Sequence, residues 1–225
     1  MDRFFDVLFS TISLLLLLPF LLCIAIILRL TGEGEIFFLQ ERIGKHGKKF
    51  NLYKFATMLK NSPNIGTGTV TMRGDTRVLP VGKFLRRTKI NELPQLLNIF
   101  LGDMSVIGPR PLTLEAFKAY SHNTQQLIVK VRPGLSGLGS IIFRDEEEIM
   151  HGVNASVDFY KNVIAPYKGT IEEWFVSNKS LYIYFKAIFI TIWIVFIPST
   201  KIVWKVFKGL PEPPSELRKA MNFTN

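Results

Sequence analysis

The longest hydrophobic run of the chain lies close to its beginning. Residues 7–28 are almost uninterruptedly apolar, which is roughly the 20 residues that a helix needs to cross a bilayer. A cleaved signal peptide would end in a small-residue cleavage site, but Arg29 closes this run directly. We therefore expect residues 1–30 to form a membrane helix that the protein retains.

Two features of that helix bear on its path through the membrane. Pro19 lies near the middle, where it removes an intrahelical hydrogen bond and favours a kink. Arg3 and Arg29 place positive charge at both ends, so the charges favour neither direction of crossing. The pattern predicts a re-entrant helix that bends at Pro19 and returns to the face it entered. A plain membrane-spanning anchor is the alternative.

The pattern then changes to short segments typical of strands. Residues 36–39 and 50–55 are apolar and aromatic, and a glycine-containing polar loop at 42–47 separates them. This arrangement predicts a β-hairpin. Residues 59–80 are polar and rich in Gly, Thr and Asn, which indicates a loop.

A helical pattern follows the loop. Apolar residues recur at the spacing i, i+3, i+4 and i+7 at Leu93, Leu96, Leu97 and Phe100. Asn91 is a favoured N-cap, Pro94 suits the first turn, and Gly102 supplies a stop. We expect a helix with its N-cap at Asn91 and one apolar face, and a second helix over residues 113–130.

The last third of the chain carries a second membrane-like zone. Residues 181–197 are apolar and aromatic, and lysines accompany the Trp and Tyr residues of the zone. This composition favours interfacial helices over residues 179–208, with a second crossing as the alternative. We expect residues 209–225 to form a mobile tail.

Charge and cysteine content narrow the partners. The chain of 225 residues has a formal net charge of +10, which implies an anionic partner such as a phosphorylated ligand or an anionic lipid. Its single cysteine excludes a disulfide framework, and the three histidines have no metal-ligand spacing. The basic residues do not interleave with a recognisable recognition motif, so no nucleic-acid partner is expected.

A cluster of charged residues lies at the start of the predicted helix of residues 91–102. Arg86 and Arg87 stand beside its N-terminus, where free N–H groups and the helix dipole favour anions. Glu92 in that position could hold a divalent cation beside a phosphate. On composition alone, a solvated basic face is the alternative.

Several motifs occur in a fixed order along the chain. They are Tyr53-Lys54-Phe55, Arg86-Arg87, Glu92-Leu93-Pro94-Gln95-Leu96, Gly102-Asp103-Met104-Ser105, Gly108-Pro109-Arg110-Pro111 and Val131-Arg132-Pro133-Gly134-Leu135-Ser136-Gly137. This ordered set resembles the monotopic phosphoglycosyl transferases, also called the bacterial sugar transferase family. The resemblance covers about residues 3–190.

The resemblance implies an α+β fold: a membrane-associated monotopic domain with an N-terminal re-entrant helix, a small β-hairpin and interfacial amphipathic helices. Residues 31–178 would form the catalytic domain. The implied enzyme transfers a sugar 1-phosphate from a UDP-sugar to polyprenyl (undecaprenyl) phosphate and releases UMP, with Mg²⁺ as cofactor. It would act on the cytoplasmic face of the bacterial inner membrane, at the first membrane step of polysaccharide assembly. A homodimer is left open.

The resemblance also implies roles for individual residues. Glu92 would hold the metal, and phosphates would bind to Lys54, Arg86, Arg87, Arg110 and Arg132. The family has a nucleophilic Asp where this chain has Asn91. An amide is neutral and a poor nucleophile, so the covalent step of the family cannot take place at position 91.

The chain departs from the family pattern a second time after Gly137, where it carries the acidic run Asp145-Glu146-Glu147-Glu148. Asp145 is the predicted replacement nucleophile. Three further possibilities stay open: a direct displacement without a covalent intermediate, an ordinary enzyme trapped by changing Asp to Asn, and an inactive homologue that binds lipid or nucleotide as an assembly partner.

Overall fold

The computed structural model describes residues 2–64, 75–144, 149, 157–197, 201–218, 220–221 and 223. The chain divides into two compact units, and each is built from separated segments. The first unit comprises Phe4–Glu41 and Asn51–Gly102. The second comprises Met1–Arg3, Arg42–Phe50 and Asp103–Asn225. The segment predicted as a catalytic domain over residues 31–178 is therefore shared between the two units.

Helix α1, Asp2–Leu30, has 29 residues, and its helical backbone continues through Pro19. Among the described helices it alone is long and apolar enough to cross a membrane. Its buried positions lie toward the two ends and are Asp6, Ser10, Ile24 and Leu28. Between the two buried ends, residues 11–23 are half-buried or exposed. The re-entrant path stays a prediction.

The predicted hairpin is confirmed. Strands β1 (Phe37–Ile43) and β2 (Lys49–Phe55) pair in a two-stranded sheet. The turn Lys45–Gly47 between them carries a left-handed residue at His46, with φ 60°. In the first unit, Phe55 at the end of β2 packs in one apolar cluster with Ile24 and Leu28 of α1 and with Leu85.

Helix α2 (Pro80–Arg87) and helix α3 (Gln95–Leu101) complete the first unit. Helix α2 lies against the backbone of Thr57, because a Cβ atom on Gly82 would come within 2.2 Å of the Thr57 carbonyl oxygen. The predicted stop at Gly102 is confirmed, since Gly102 has φ 101° and ends α3.

The predicted start of α3 is wrong, because the helix has Pro94 rather than Asn91 as its N-cap. Phe100, on the predicted apolar face, is exposed. The buried face contains Gln95 and Asn98 as well as apolar residues. The reason lies in Asn98, whose Oδ1 accepts a hydrogen bond from Tyr53 N at 2.9 Å and whose Nδ2 donates to Asn51 O at 2.8 Å. These bonds to β2 turn a polar side chain into the core.

The second unit begins with strand β3 (Ser105–Ile107), which pairs in parallel with β4 (Gly134–Ser136). The helix predicted over residues 113–130 is two helices, α4 (Leu114–Lys118) and α5 (His122–Ile128). They separate because Ser121 caps α5: its Oγ accepts a hydrogen bond from the backbone N–H of Thr124 at 3.1 Å.

Five further helical segments follow in this unit. They are α6 (Leu138–Ile142), α7 (Ala165–Ser177), α8 (Leu181–Phe196), α9 (Lys201–Val206) and α10 (Ser215–Arg218). A short helical stretch, Val157–Phe159, leads through a π-helical turn, Tyr160–Ile164, into α7. Together with the two small sheets, these helices give the mixed helix and strand composition expected of an α+β protein.

Helix α8 has two different faces. Its buried face is Tyr184, Ala187, Ile190 and Ile194. Its exposed face is equally apolar and carries Tyr182, Phe185, Phe189, Trp193 and Phe196. An exposed surface of this kind, continuous along a helix, is unusual for a protein that meets only water.

The segment predicted as a mobile tail is folded against the second unit where it is described. The carbonyl oxygen of Pro211 accepts hydrogen bonds from Tyr167 Oη and Trp204 Nε1, both at 2.9 Å. Leu217 of α10 is fully buried. The hydrogen bonds come from Tyr167 and Trp204, which lie outside the tail, so the composition of the tail alone did not indicate them.

Candidate active site

The first unit places a lysine and a glutamate together at the short turn between α2 and α3. Lys89 adopts a left-handed conformation, with φ 59°, and the chain then forms the 3₁₀ turn Ile90–Glu92. The Oε1 atom of Glu92 lies 3.6 Å from the Nζ atom of Lys54, which projects from β2. The Lys54 side chain is 19% exposed and that of Glu92 is 28% exposed. The pair is thus partly desolvated but within reach of a ligand.

Asn91 lies in the same turn and is only 7% exposed. Its Oδ1 atom is buried and has no hydrogen-bond partner in the part of the chain that the structure describes. The amide therefore does not cap α3, which corrects the role expected from the sequence. A buried acceptor without a partner is costly, and such atoms occur where a ligand or ion completes the site.

The two arginines of α2 have different surroundings. Arg86 is half-buried, and its Nη1 lies 3.7 Å from the sulfur of Met58. Arg87, the last residue of α2, is exposed. A thioether is a weak acceptor, so the Arg86 guanidinium keeps most of its capacity for a phosphate.

The oxygen atoms in this turn suit a magnesium ion. Mg²⁺ is usually bound through one or two carboxylates, with the remaining positions filled by water and substrate phosphates. Glu92 supplies one carboxylate, and Asn91 Oδ1 is a second oxygen in the adjacent residue. Among the described residues no group of three His, Cys, Asp or Glu side chains could hold a metal. A site at Glu92 would therefore depend on the substrate for several of its ligands.

In the second unit, two sequence motifs interlock through their glycines. Gly108 N donates to Ser136 O at 2.9 Å, and Gly134 N donates to Pro109 O at 2.8 Å. A Cβ atom on Gly134 would lie 2.1 Å from Gly108 N, and one on Gly137 would lie 2.1 Å from Gly108 O. Only glycine permits this approach, so the two motifs together fix the backbone that carries Arg110.

That backbone is also held by a residue that sequence reasoning missed. Arg110 N donates to Glu172 Oε1 at 3.3 Å, and Arg42 Nη1 donates to Pro111 O at 3.2 Å. Glu172 is only 2% exposed. Burial raises the pKa of its carboxyl to about 7, although the Arg110 N–H and the charges of Lys168 and Arg110 act in the opposite direction.

Comparison with known proteins agrees with the motifs. The model of the family described as bacterial sugar transferase matches residues 1–198. The chain belongs to this family. It is 39% identical over 163 residues to a UDP-glucose:undecaprenyl-phosphate glucose-1-phosphate transferase of Escherichia coli (strain K12), a match that covers 68% of this chain and 34% of the relative.

The chain is also similar to two other relatives. The chain is 33% identical over 192 residues to a UDP-N-acetylgalactosamine-undecaprenyl-phosphate N-acetylgalactosaminephosphotransferase of Aeromonas hydrophila, covering 84% of this chain and 42% of the relative. It is 37% identical over 147 residues to the exopolysaccharide production protein PSS of Rhizobium leguminosarum bv. phaseoli, covering 63% and 73%. The chain thus spans between a third and about two-fifths of the first two relatives.

The residues expected of a bacterial sugar transferase site are divided between the two units. The structure brings Lys54 and Glu92 together and places Asn91 beside them; Arg86 and Arg87 lie in the same unit. Arg110 and Arg132 belong to the second unit, where the Arg110 side chain is exposed and Arg132 is half-buried. Asp145 lies outside the described residues, so its role stays a prediction.

Proposed function

We propose that this protein transfers a sugar 1-phosphate from a UDP-sugar to polyprenyl phosphate and releases UMP. The bond between the sugar-bearing phosphorus and the UMP oxygen breaks, and UMP leaves with that electron pair. A new bond forms between the same phosphorus and an oxygen of the polyprenyl phosphate. The observation that carries this proposal is family membership combined with the Lys54–Glu92 pair at the turn after the basic end of α2.

The charged residues suit this reaction because phosphoryl transfer depends mainly on positioning and on neutralising charge. Lys54, Arg86 and Arg87 supply positive charge in the first unit, and Arg110 and Arg132 supply it in the second. Mg²⁺ held at Glu92 would neutralise charge on the donor diphosphate. Each of these roles is part of the proposal.

The route through the reaction cannot use Asn91 as a nucleophile. Its amide is neutral, and its buried oxygen is suited to accepting a hydrogen bond or contacting a cation rather than to forming a phosphate ester. We therefore assign the covalent step, if the enzyme uses one, to Asp145. Direct attack by the acceptor phosphate is the route without a covalent intermediate.

We place the protein on the cytoplasmic face of the bacterial inner membrane, with α1 re-entrant. The burial pattern of α1 supports this path, because both ends carry buried residues while residues 11–23 are half-buried or exposed. At the start of α1, Asp2 also forms an ion pair of 2.7 Å with Lys179. Cysteines introduced at positions 2 and 31 should both react only from the cytoplasmic side. Labelling of position 2 from the periplasm would contradict re-entry and leave a spanning anchor.

UMP release tests the function itself. The purified full chain is incubated with polyprenyl phosphate, Mg²⁺ and a panel of UDP-sugars, and UMP is measured with and without the lipid acceptor. Acceptor-dependent UMP release with one donor is expected. Binding of donor or lipid without UMP release under any of these conditions would instead identify an inactive homologue that acts as an assembly partner.

A further inference from the structure

The second unit contains a pocket that is lined by Arg110 together with residues that the sequence did not single out. It has a volume of about 110 Å³ and is lined by polar or charged groups from β1, α6 and α7 and from the turn after β3. Those that matter here are Arg42, Arg110, Ser140, Lys168 and Glu172. Because one water occupies roughly 30 Å³ in the liquid, this space holds roughly three to four waters or one small polar group. We call it the Glu172 pocket.

Glu172 has one unsatisfied oxygen in this pocket. Its Oε1 accepts the Arg110 N–H, whereas its buried Oε2 receives no hydrogen bond from any residue that the structure describes. The carboxyl is also held in place, because a Cβ atom on Gly139 would lie 2.4 Å from Oε1. An ionised carboxylate with a bare, buried oxygen is unfavourable, so the site favours either a proton on Oε2 or a donor from a ligand.

The other charged residues that line the pocket in the described part of the chain are basic. Lys168, one turn before Glu172 on α7, is only 7% exposed, and its ammonium lies 4.8 Å from the ring centre of Phe143 and 5.5 Å from that of Tyr160. Arg42 and Arg110 add two guanidinium groups. Three basic residues and one carboxyl group line the pocket among the described residues, so their summed charge is positive whether Glu172 is ionised or neutral. An anion is the ligand that this charge favours.

We propose that the Glu172 pocket binds a single phosphoryl group, with the protonated Glu172 carboxyl donating a hydrogen bond from Oε2 to a phosphate oxygen and Lys168 and Arg42 supplying the positive charge. The anion thereby gives Oε2 the hydrogen-bond partner that no described residue supplies. The assignment of this phosphoryl group to a substrate rests on the proposed function; the binding itself does not.

Protonation of Glu172 makes this binding depend on pH. The pKa near 7 means that the free protein holds the proton below neutral pH and loses it above. The other charged and titratable groups facing the carboxyl are Arg42, Arg110, Tyr120, Tyr160 and Lys168. An anion in the pocket favours the protonated form further, so binding takes up a proton at alkaline pH.

Sulfate is the decisive probe, because it has the tetrahedral shape of phosphate but keeps one charge state across this range. Its affinity for the detergent-solubilised full chain is measured by calorimetry at constant ionic strength. For a carboxyl that must be protonated and has a pKa of about 7, affinity should fall roughly tenfold between pH 6 and pH 8. Absence of sulfate binding at pH 6, or an affinity that does not change with pH, would overturn the proposal.

Glu172→Gln identifies the titrating group. The amide oxygen can accept the Arg110 N–H while the NH₂ group donates to the anion, so this variant should keep the pH 6 affinity up to pH 8. Glu173→Gln removes the same charge from the neighbouring position of α7 and should keep the wild-type pH step. If Glu172→Gln shows the step unchanged, Glu172 does not control the pocket. Lys168→Met should weaken sulfate roughly tenfold at both pH values, and unchanged affinity would exclude the pocket as the site.

The source of the phosphoryl group follows from competition at pH 6. Inorganic phosphate, UDP and a short-chain polyprenyl phosphate in micelles are each tested for displacement of sulfate from the wild type. Displacement by UDP identifies the donor, displacement by the lipid identifies the acceptor, and displacement by inorganic phosphate alone identifies a free anion. Displacement by none of the three would refute a phosphoryl site. If the wild type binds sulfate but releases no UMP, that result counts against the proposed function and not against this anion site.

Discussion

The two units each contain a lysine and a glutamate in one site, and the two pairs are built differently. Lys54 and Glu92 lie 3.6 Å apart, remain partly exposed and come from separate elements. Lys168 and Glu172 lie one turn apart on the same helix and are both almost completely buried. The lysine faces two aromatic rings, and Glu172 Oε2 receives no hydrogen bond from any residue that the structure describes.

This difference shows that the spacing of a lysine and a glutamate along the sequence does not determine whether the two side chains are exposed or buried. Residues four apart on a helix are expected to form a weak surface ion pair. Here the pair is turned inward, where burial raises the pKa of Glu172 to about 7 and prepares the carboxyl to act as a donor. The Lys54–Glu92 pair, in contrast, stays partly exposed. We thus propose a ligand role for Glu92 and a proton-carrying role for Glu172.

The largest effect is expected at a third carboxylate, Asp145, which is the proposed nucleophile. If Asp145 is the nucleophile, Asp145→Asn should lower UMP release roughly 10³-fold, because the covalent step loses its attacking group. Exchange of UMP into the UDP-sugar without acceptor, the signature of ping-pong kinetics, should then occur in the wild type and be lost in Asp145→Asn, and Asn91→Asp should restore it in that background. Glu146→Gln, in the same acidic run, is the matched control and should retain activity.

Two results would contradict that assignment. Full activity of Asp145→Asn would favour direct displacement, in which no protein carboxylate attacks. A wild type that is inactive until Asn91→Asp is introduced would show that position 91 is the only place where the nucleophile can act. The chain would then be a trapped or inactive member of the family.

The next largest effect is expected at Glu92. Glu92→Gln removes the charge proposed to hold Mg²⁺ and should reduce metal-dependent turnover roughly 100-fold, since a bound metal contributes several kcal/mol of charge stabilisation. Donor binding should also lose its Mg²⁺ dependence in calorimetric titrations. Glu35→Gln is the matched control, because Glu35 pairs with Lys60 at 2.7 Å on the surface of the same unit. Equal donor affinity and equal Mg²⁺ dependence in wild type and Glu92→Gln would remove Glu92 from the metal site.

Much of the first unit could be predicted from the sequence. The hairpin, the end of α3 at Gly102 and the meeting of Lys54 with Glu92 follow from local patterns or from motifs of the family. The start of α3 could not be predicted, because Asn98 bonds to β2 across more than 40 residues of chain and rotates the helix. Asn91, a good N-cap by type, is consequently left in the preceding turn.

The Glu172 pocket was beyond prediction for a different reason. In the sequence, Glu172 stands beside Glu173 and four residues after Lys168, a pattern that is typical of a solvated helix face. Its burial is caused by tertiary neighbours, chiefly Gly139 and the Arg110 turn. A helical wheel of α7 places Glu172 on the same face as Ile171 and Phe175, but it does not show that Glu172 lines a pocket.

A smaller effect is expected at Glu172, in the way the free energy of unfolding depends on pH. The native pKa of Glu172, about 7, is above its ordinary value of 4.5, so the protonated form is favoured in the folded protein. Its contribution is complete below pH 4.5 and is lost as pH rises to about 7, after which it is constant. Wild type should therefore lose a few kcal/mol of stability across this window relative to Glu172→Gln. Thermal unfolding of both proteins at intervals from pH 5 to pH 8 measures the difference. A constant difference at all pH values would mean that Glu172 does not titrate in this window.

The smallest expected effect comes from breaking the exposed pair. Lys54→Met should change the free energy of unfolding by less than about 1 kcal/mol, because partly solvated ion pairs contribute little and methionine keeps most of the side-chain packing. The same change at Lys168 should cost more, since it removes a buried cation that contacts two rings and leaves Glu172 with less positive charge nearby. Denaturant titrations of the two variants compare these losses directly. UMP release should follow the opposite order if Lys54 contacts the donor phosphates, falling sharply in Lys54→Met although the fold is intact. Equal losses of stability at the two positions would mean that burial does not distinguish the pairs.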